Sequence, residues 1–365
     1  MEGVCSHEAY VTDVPGSADD EARWGATYMA RRRSPEPGVA VVCGASAGVG
    51  RATVRELARK GYSLGLLARG SDGLRAAAEE ARAGGVRALV VEVDVTDPGA
   101  LEEAVDRVEG ELGPVDVWIN SAFATLMSRF TDAAPEEFRR VTDVCYHGTV
   151  NGTRTALSRM RGRDRGTIVQ VGSALAYRGI PLQSAYCGAK HAVRGFTDSV
   201  RAELVDEGSN VRVTEIHLPG LNTPQFTWVR ARTDRPTRPV APVYQPEVAG
   251  RAIAWAAEHP RRRTYWVAPS TIGTVLGQRF APRVLDLMLG RSGVEGQLRD
   301  GDPERVGNLF EPFDTEHDHG AHGIFDEESR GSSVQQWLNE RRLTVAGVAV
   351  GLAAFGAVAW RRARA

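Results

Sequence analysis

Cysteine is scarce in this chain, and neither sign of charge is in excess. The four cysteines, Cys5, Cys43, Cys145 and Cys187, are scattered without a CxxC pair. That spacing argues against a disulfide framework or a thiolate zinc site and fits a reducing compartment. The formal net charge is −1, which argues against a nucleic-acid binder that works through bulk electrostatics. Residues 1–10 lack a basic region followed by an apolar run, so no secretory leader is expected. No repeat is found. Hydrophobic residues still make up 42% of the 365, enough to bury a sizeable core.

What is present begins at Val39. Residues 1–37 are polar, close on Arg31-Arg32-Arg33-Ser34-Pro35-Glu36-Pro37, and read as a loose extension with at most a short helix near Ala22–Ala30. From Val39 onward, short apolar runs alternate with helical periods. Strands are expected at Val39–Cys43, Ser63–Ala68, Ala88–Val93, Val115–Ile119, Thr167–Val171, Val211–His217 and Thr264–Val267. Helices are expected between them, including one long stretch over 135–160 and another over 184–207. Parallel strands need crossover helices, so the alternation predicts an α/β fold, a doubly wound parallel sheet with helices on both faces. The Pro-, Thr- and Arg-rich residues 220–246 read as a mobile surface loop. Helices near 247–258 and 271–289 and then a polar tail follow. The division is a catalytic domain over 38–268, an extension over 269–335 and a terminal segment over 336–365.

Two clusters carry chemistry. Gly44, Ser46, Gly48, Val49 and Gly50 lie in a strand-to-helix turn spaced G-x-x-x-G-x-G. Such a turn lets the backbone approach a pyrophosphate at a helix N-terminus, although a tight packing turn reads the same way. The second strand ends Leu66-Leu67-Ala68-Arg69 without a carboxylate. Arg69 could fork onto a 2′-phosphate, which favours NADP(H) over NAD(H). The other cluster is Tyr186 and Lys190, one helical turn apart, with Ser173 at the end of the preceding strand. A nearby ammonium lowers a phenol pKa and suits it to move a proton during hydride transfer.

Together, Gly44-x-x-x-Gly48-x-Gly50, Asp94, Asn120-Ser121-Ala122, Ser173, Tyr186-x-x-x-Lys190 and Pro219-Gly220 resemble the short-chain dehydrogenase/reductase family over about 38–268. The resemblance implies a Rossmann-like NADP(H)-dependent oxidoreductase acting on a carbonyl or secondary alcohol. Tyr186 is then the acid/base, Lys190 binds the nicotinamide ribose, and Ser173 orients the substrate oxygen. Asp94 and Val95 contact adenine, Asn120 supports the central strand, and Pro219, Gly220 and Thr223 hold the nicotinamide end. The substrate pocket is expected near Leu126, Leu175, Tyr177 and the 221–245 loop. The family often forms homo-oligomers. Cys145 stands where the family carries a relay asparagine. That departure keeps two alternatives in view, a cofactor-binding sensor or scaffold with weak activity and an epimerase or isomerase.

The far C-terminus holds two further features. The stretch from Gly296-Gln297 through Asn308–Pro312 to Gly320–Gly323 resembles an extension found in a bacterial subgroup of the family, expected to cover the pocket or meet a second subunit. Its segment Glu316-His317-Asp318-His319-Gly320-Ala321-His322 reads as a polar surface loop rather than a metal site. Leu343–Trp360 is uncharged and flanked by Arg341-Arg342 and Arg361-Arg362. As a helix it would be about 27 Å long, close to a hydrocarbon core. A membrane anchor below a cytoplasmic catalytic domain is expected, against a buried oligomer helix or an interfacial one.

Overall fold

A computed structural model describes residues 38–303 and 307–341. The expected strands form a fully parallel sheet: β1 (Val39–Cys43), β2 (Ser63–Ala68), β3 (Ala88–Glu92), β4 (Val115–Asn120), β6 (Thr167–Ser173), β7 (Arg212–Leu218) and β10 (Thr264–Trp266). Their spatial order is β10-β7-β6-β4-β1-β2-β3. The chain runs from β1 outward to β3, then crosses back to place β4 on the other side of β1. Strand order therefore reverses between β1 and β4, and the crevice at their C-terminal ends is where such sheets bind ligands.

The residues explain why this sheet is covered on both faces. Along β1, Ala40 and Val42 belong to one buried cluster, with Val39, Val41 and Cys43 in another. Successive strand side chains point to opposite faces, so a continuously apolar strand needs a helical layer on each side. One layer holds α1 (Gly48–Arg59), α2 (Ser71–Ala83) and α8 (Pro246–Glu258). The other holds α3 (Pro98–Leu112), α4 (Pro135–Thr142), α5 (Gly148–Met160) and α6 (Ser184–Asp206).

Three expectations are corrected. The long helix over 135–160 is interrupted: Asp143–His147 winds as a π-helical turn between α4 and α5. The 220–246 loop is not a surface loop. It contains α7 (Gln225–Trp228), β8 (Arg230–Ala231), which pairs with β5 (Leu126–Met127), and β9 (Val243–Tyr244). It buries Phe226, Trp228, Val243 and Tyr244. The 271–289 helix is two, α9 (Ala268–Phe280) and α10 (Pro282–Ser292). Pro282 lacks the N–H that a continuous helix would use there.

The polar tail is also more ordered than its composition suggests. Residues 307–325 lie as a strap across the crevice. Beyond them β11 (Ser329–Arg330) pairs with β9, and α11 (Val334–Glu340) follows. Asn222, fully buried, anchors the strap. Its Oδ1 accepts from Phe325 N–H (3.0 Å), and its Nδ2 donates to Asp326 Oδ1 (2.8 Å). Among the described residues, no helix is long and apolar enough to cross a membrane. The helix expected over 343–360 and the one near 22–30 lie outside the described residues.

Candidate active site

The crevice begins in the turn after β1. Gly44 has φ +82°, and a Cβ on Gly50 would lie 1.8 Å from the Gly44 carbonyl oxygen. Only glycine allows this fold-back, which brings the start of α1 close under the turn. A cavity of about 500 Å³ opens there. Gly44, Ser46, Gly48, Val49 and Gly50 line it, as do Arg69, Asp94 and Val95 at one end and Ser173, Tyr186 and Lys190 at the other. Pro219, Gly220 and Thr223 line it too. A bare-backbone cradle at a helix start, leading to a phenol, an ammonium and a hydroxyl, fits a dinucleotide.

The proton-active end comes from β6 and α6. Ser173 closes β6, and its Oγ accepts from Leu175 N–H (3.1 Å). Ser173 and Tyr186 line the same end of the cavity. Lys190 is buried, and its Nζ donates to the Val171 carbonyl (2.7 Å) while lying 5.7 Å from the Tyr186 ring centroid. Burial raises the Tyr186 phenol well above its ordinary value, only partly offset by the neighbouring Ser173 hydroxyl. Burial likewise pushes Lys190 down, because desolvation penalises the charged form.

Cys145 sits in the π-helical turn, fully buried. Its Sγ donates to the Ala124 carbonyl (3.1 Å) and accepts from Ala124 N–H (3.4 Å). Burial raises the thiol, against a lowering pull from Lys190. The residue at the relay position thus pins the loop after β4 instead of offering an amide. Asn120 faces inward. It accepts from Trp118 Nε1 (2.8 Å) and donates to Gln170 Oε1 (2.9 Å) and Thr153 Oγ1 (3.2 Å), which supports the central strand. Of the expected pocket residues, Leu175 lines the cavity. Leu126 is instead in the small sheet with β8, and Tyr177 packs against His217 and Trp266.

At the Asp94 end of the cavity, burial pushes the Asp94 carboxyl up, but hydrogen bonds from Arg140 and Thr96 outweigh it and hold the group below its ordinary value. Arg69 stands at the end of β2 as expected, yet its guanidinium is taken up by the strap. It donates to the carbonyls of Asn308 and Phe310, both at 2.7 Å.

Sequence reasoning missed Arg51. Its side chain is 1% exposed. It donates to the carbonyls of Ser46 (3.0 Å) and Gly73 (2.8 Å) and pairs with Glu80 (2.9 Å) and Asp318 (3.3 Å). One guanidinium therefore ties the glycine turn after β1 to α2 and to the strap. The signal was present: Arg51 shares a helix face with Val54 and Ala58, both core residues. The stretch expected to cover the pocket or meet a second subunit walls the crevice. Gly48 N–H donates to the Gly320 carbonyl (3.0 Å), and Asp314 lines the cavity.

A family model for short chain dehydrogenases matches residues 38–234. The "uncharacterized oxidoreductase YxnA" of Bacillus subtilis is 31% identical over 323 residues, 87% of this chain and 90% of that one. A short chain dehydrogenase from Mycobacterium paratuberculosis, solved bound to NAD, shares the fold at 23% identity. Its TM-score is 0.56 over 64% of this chain and 96% of that one. An alcohol dehydrogenase from Thermococcus sibiricus, solved with 5-hydroxy-NADP, is 27% identical. Its TM-score is 0.53 over 63% of this chain and 94% of that one.

Proposed function

The chain belongs to the short chain dehydrogenase family and is an NAD(P)-dependent dehydrogenase/reductase, and from that premise we propose that it interconverts an apolar carbonyl compound and its secondary alcohol with Tyr186 as acid/base. The observation that carries this reading is the convergence of Ser173, Tyr186 and Lys190 at one end of a glycine-walled crevice. A bound nicotinamide supplies or accepts the hydride. The Tyr186 hydroxyl gives its proton to the substrate oxygen in reduction and takes it back in oxidation. Ser173 holds that oxygen by a hydrogen bond. Lys190, one turn along α6, holds positive charge beside the phenol and is the residue to bind the nicotinamide ribose. Gly44–Gly50 and the start of α1 would hold the pyrophosphate, and Pro219, Gly220 and Thr223 the nicotinamide end.

Support for an apolar substrate comes from the far wall of the cavity. Leu175, Ile180, Leu285, Met288 and Leu289 line it. Phe280, Val284 and Leu287 extend the apolar surface outward on α9 and α10. The NADP(H) preference drawn from Arg69 requires a guanidinium that can leave the strap carbonyls, so dinucleotide choice turns on the strap. Membrane association through 343–360 also belongs to the proposal, supported by an uncharged stretch flanked by arginines. The test is a panel of ketones of graded chain length, followed by nicotinamide absorbance with NADH and with NADPH. Turnover should rise with apolar chain length. Nicotinamide binding with no turnover across the panel would favour the sensor reading, which the Cys145 replacement motivates.

A further inference from the structure

At the adenosine end of the crevice, the second strand brings no carboxylate, but the strap does. Asp314 arrives from more than two hundred residues downstream and is 7% exposed. Its backbone carbonyl accepts from Asp72 N–H (3.1 Å) and Gly73 N–H (3.3 Å), the first amides of α2. The Ser71 hydroxyl donates to the neighbouring Thr315 carbonyl (3.3 Å). The side chain lies over the turn itself. A Cβ on Gly70 would be 1.8 Å from Asp314 Oδ1, and one on Gly73 would be 2.6 Å from Oδ2. The two glycines therefore make the space that this carboxylate fills, and Asp314 still faces the cavity beside Arg69 and Gly70.

The place has chemical meaning. The turn after the second strand and the first amides of the following helix are where the adenosine ribose rests in doubly wound folds. A carboxylate there accepts hydrogen bonds from ribose hydroxyls. A 2′-phosphate brings close to two negative charges at neutral pH and wants helix amides and an arginine. Here the amides are occupied by the Asp314 carbonyl, and Arg69 is held by Asn308 and Phe310. Both provisions for a 2′-phosphate are thus taken up by main-chain oxygens, with a carboxylate beside them, all from one segment.

We propose that Asp314 of the strap is a specificity-determining residue that receives the adenosine ribose diol and excludes a 2′-phosphate, so that the protein selects NAD(H). This rests on reading the crevice as a dinucleotide site, and it reverses the preference drawn from Arg69. The test measures binding, not turnover. NADH and NADPH affinities of the full chain are measured by nicotinamide fluorescence, with ADP and adenosine 2′,5′-bisphosphate as competitors. NADH should bind at least about tenfold tighter than NADPH, because like charges oppose the second ligand. ADP should displace NADH, and the bisphosphate should not. Asp314→Asn keeps the backbone contacts and removes the charge, so the gap should shrink by about tenfold. NADPH binding tighter than NADH, or a gap unchanged in Asp314→Asn, overturns the assignment and leaves the dinucleotide reading standing. If neither nucleotide binds, both fall. The wild-type affinities and the two competitors decide the matter even if the variant does not fold.

Discussion

At the residue scale, Arg51 is the side chain on which most of the site's architecture converges. Its guanidinium serves two carbonyls and two carboxylates, and its removal would strand the buried carbonyls of Ser46 and Gly73. Arg51→Ala is expected to cost roughly 2–4 kcal/mol, the lower part of the range reflecting its partly exposed carboxylate partners. Chemical denaturation of the two proteins checks it, and a difference within a few tenths would contradict the role. Glu80 supplies the matching pH dependence. Burial pushes its carboxyl up, but Arg55 and Arg51 outweigh that and hold it down at about 2, against an ordinary 4.5. A lowered folded-state value means the stabilisation is complete above about pH 4.5 and is lost as pH falls toward 2. Glu80→Gln should therefore flatten the acid limb of a stability-against-pH curve in that window and lower stability at neutral pH. Arg51 was legible only in part: an arginine at a helix start usually reads as solvated, and its partners come from elements distant in sequence.

At the element scale, the strap lies across the crevice and walls one end of it. Its far end is fastened by His322, whose Nδ1 meets Asp326 (2.9 Å) and whose Nε2 meets Glu247 of α8 (2.8 Å). Arg55 also faces Glu247, at 3.5 Å. Burial lowers His322, but the two carboxylates outweigh it and raise the imidazole above its ordinary 6.5. A raised folded-state value means this fastening is complete below pH 6.5 and weakens as pH rises through the folded-state value. Amide exchange across 307–325, corrected for its intrinsic pH dependence, should quicken over that rise in the wild type. In His322→Gln it should lose that step. The strands were legible because continuous apolar runs such as Val39–Cys43 need two covered faces whatever their partners. The attachments of the strap were not, because most are the carbonyls of Asn308, Phe310, Asp314 and Gly320. Every residue carries a carbonyl, so no side-chain pattern announces them. Its few buried apolar residues, Leu309, Ala321 and Phe325, are too widely spaced to mark a period. Residues 220–246 misled for a related reason: prolines and arginines dominated the composition, while the buried aromatics lay between them.

At the scale of the whole molecule, a doubly wound sheet brings Gly44–Gly50, Ser173, Tyr186 and Lys190 to one edge, as the sequence pattern implied. The strap then closes the Arg69 end, and the α9–α10 hairpin opens an apolar end. If the 343–360 segment associates with membrane, the full chain should float with phospholipid vesicles, and a chain ending at Arg341 should stay in the aqueous fraction. Flotation of both would shift the interaction to the exposed hairpin. The central claim is that Tyr186 moves the proton while the crevice holds the dinucleotide. Its most direct test is Tyr186→Phe, with steady-state turnover and nicotinamide affinity measured on the same preparation. Turnover should fall by at least about 10²-fold, the usual contribution of a positioned acid/base, with affinity changed less than about threefold. Undiminished turnover in the phenylalanine variant would contradict the account.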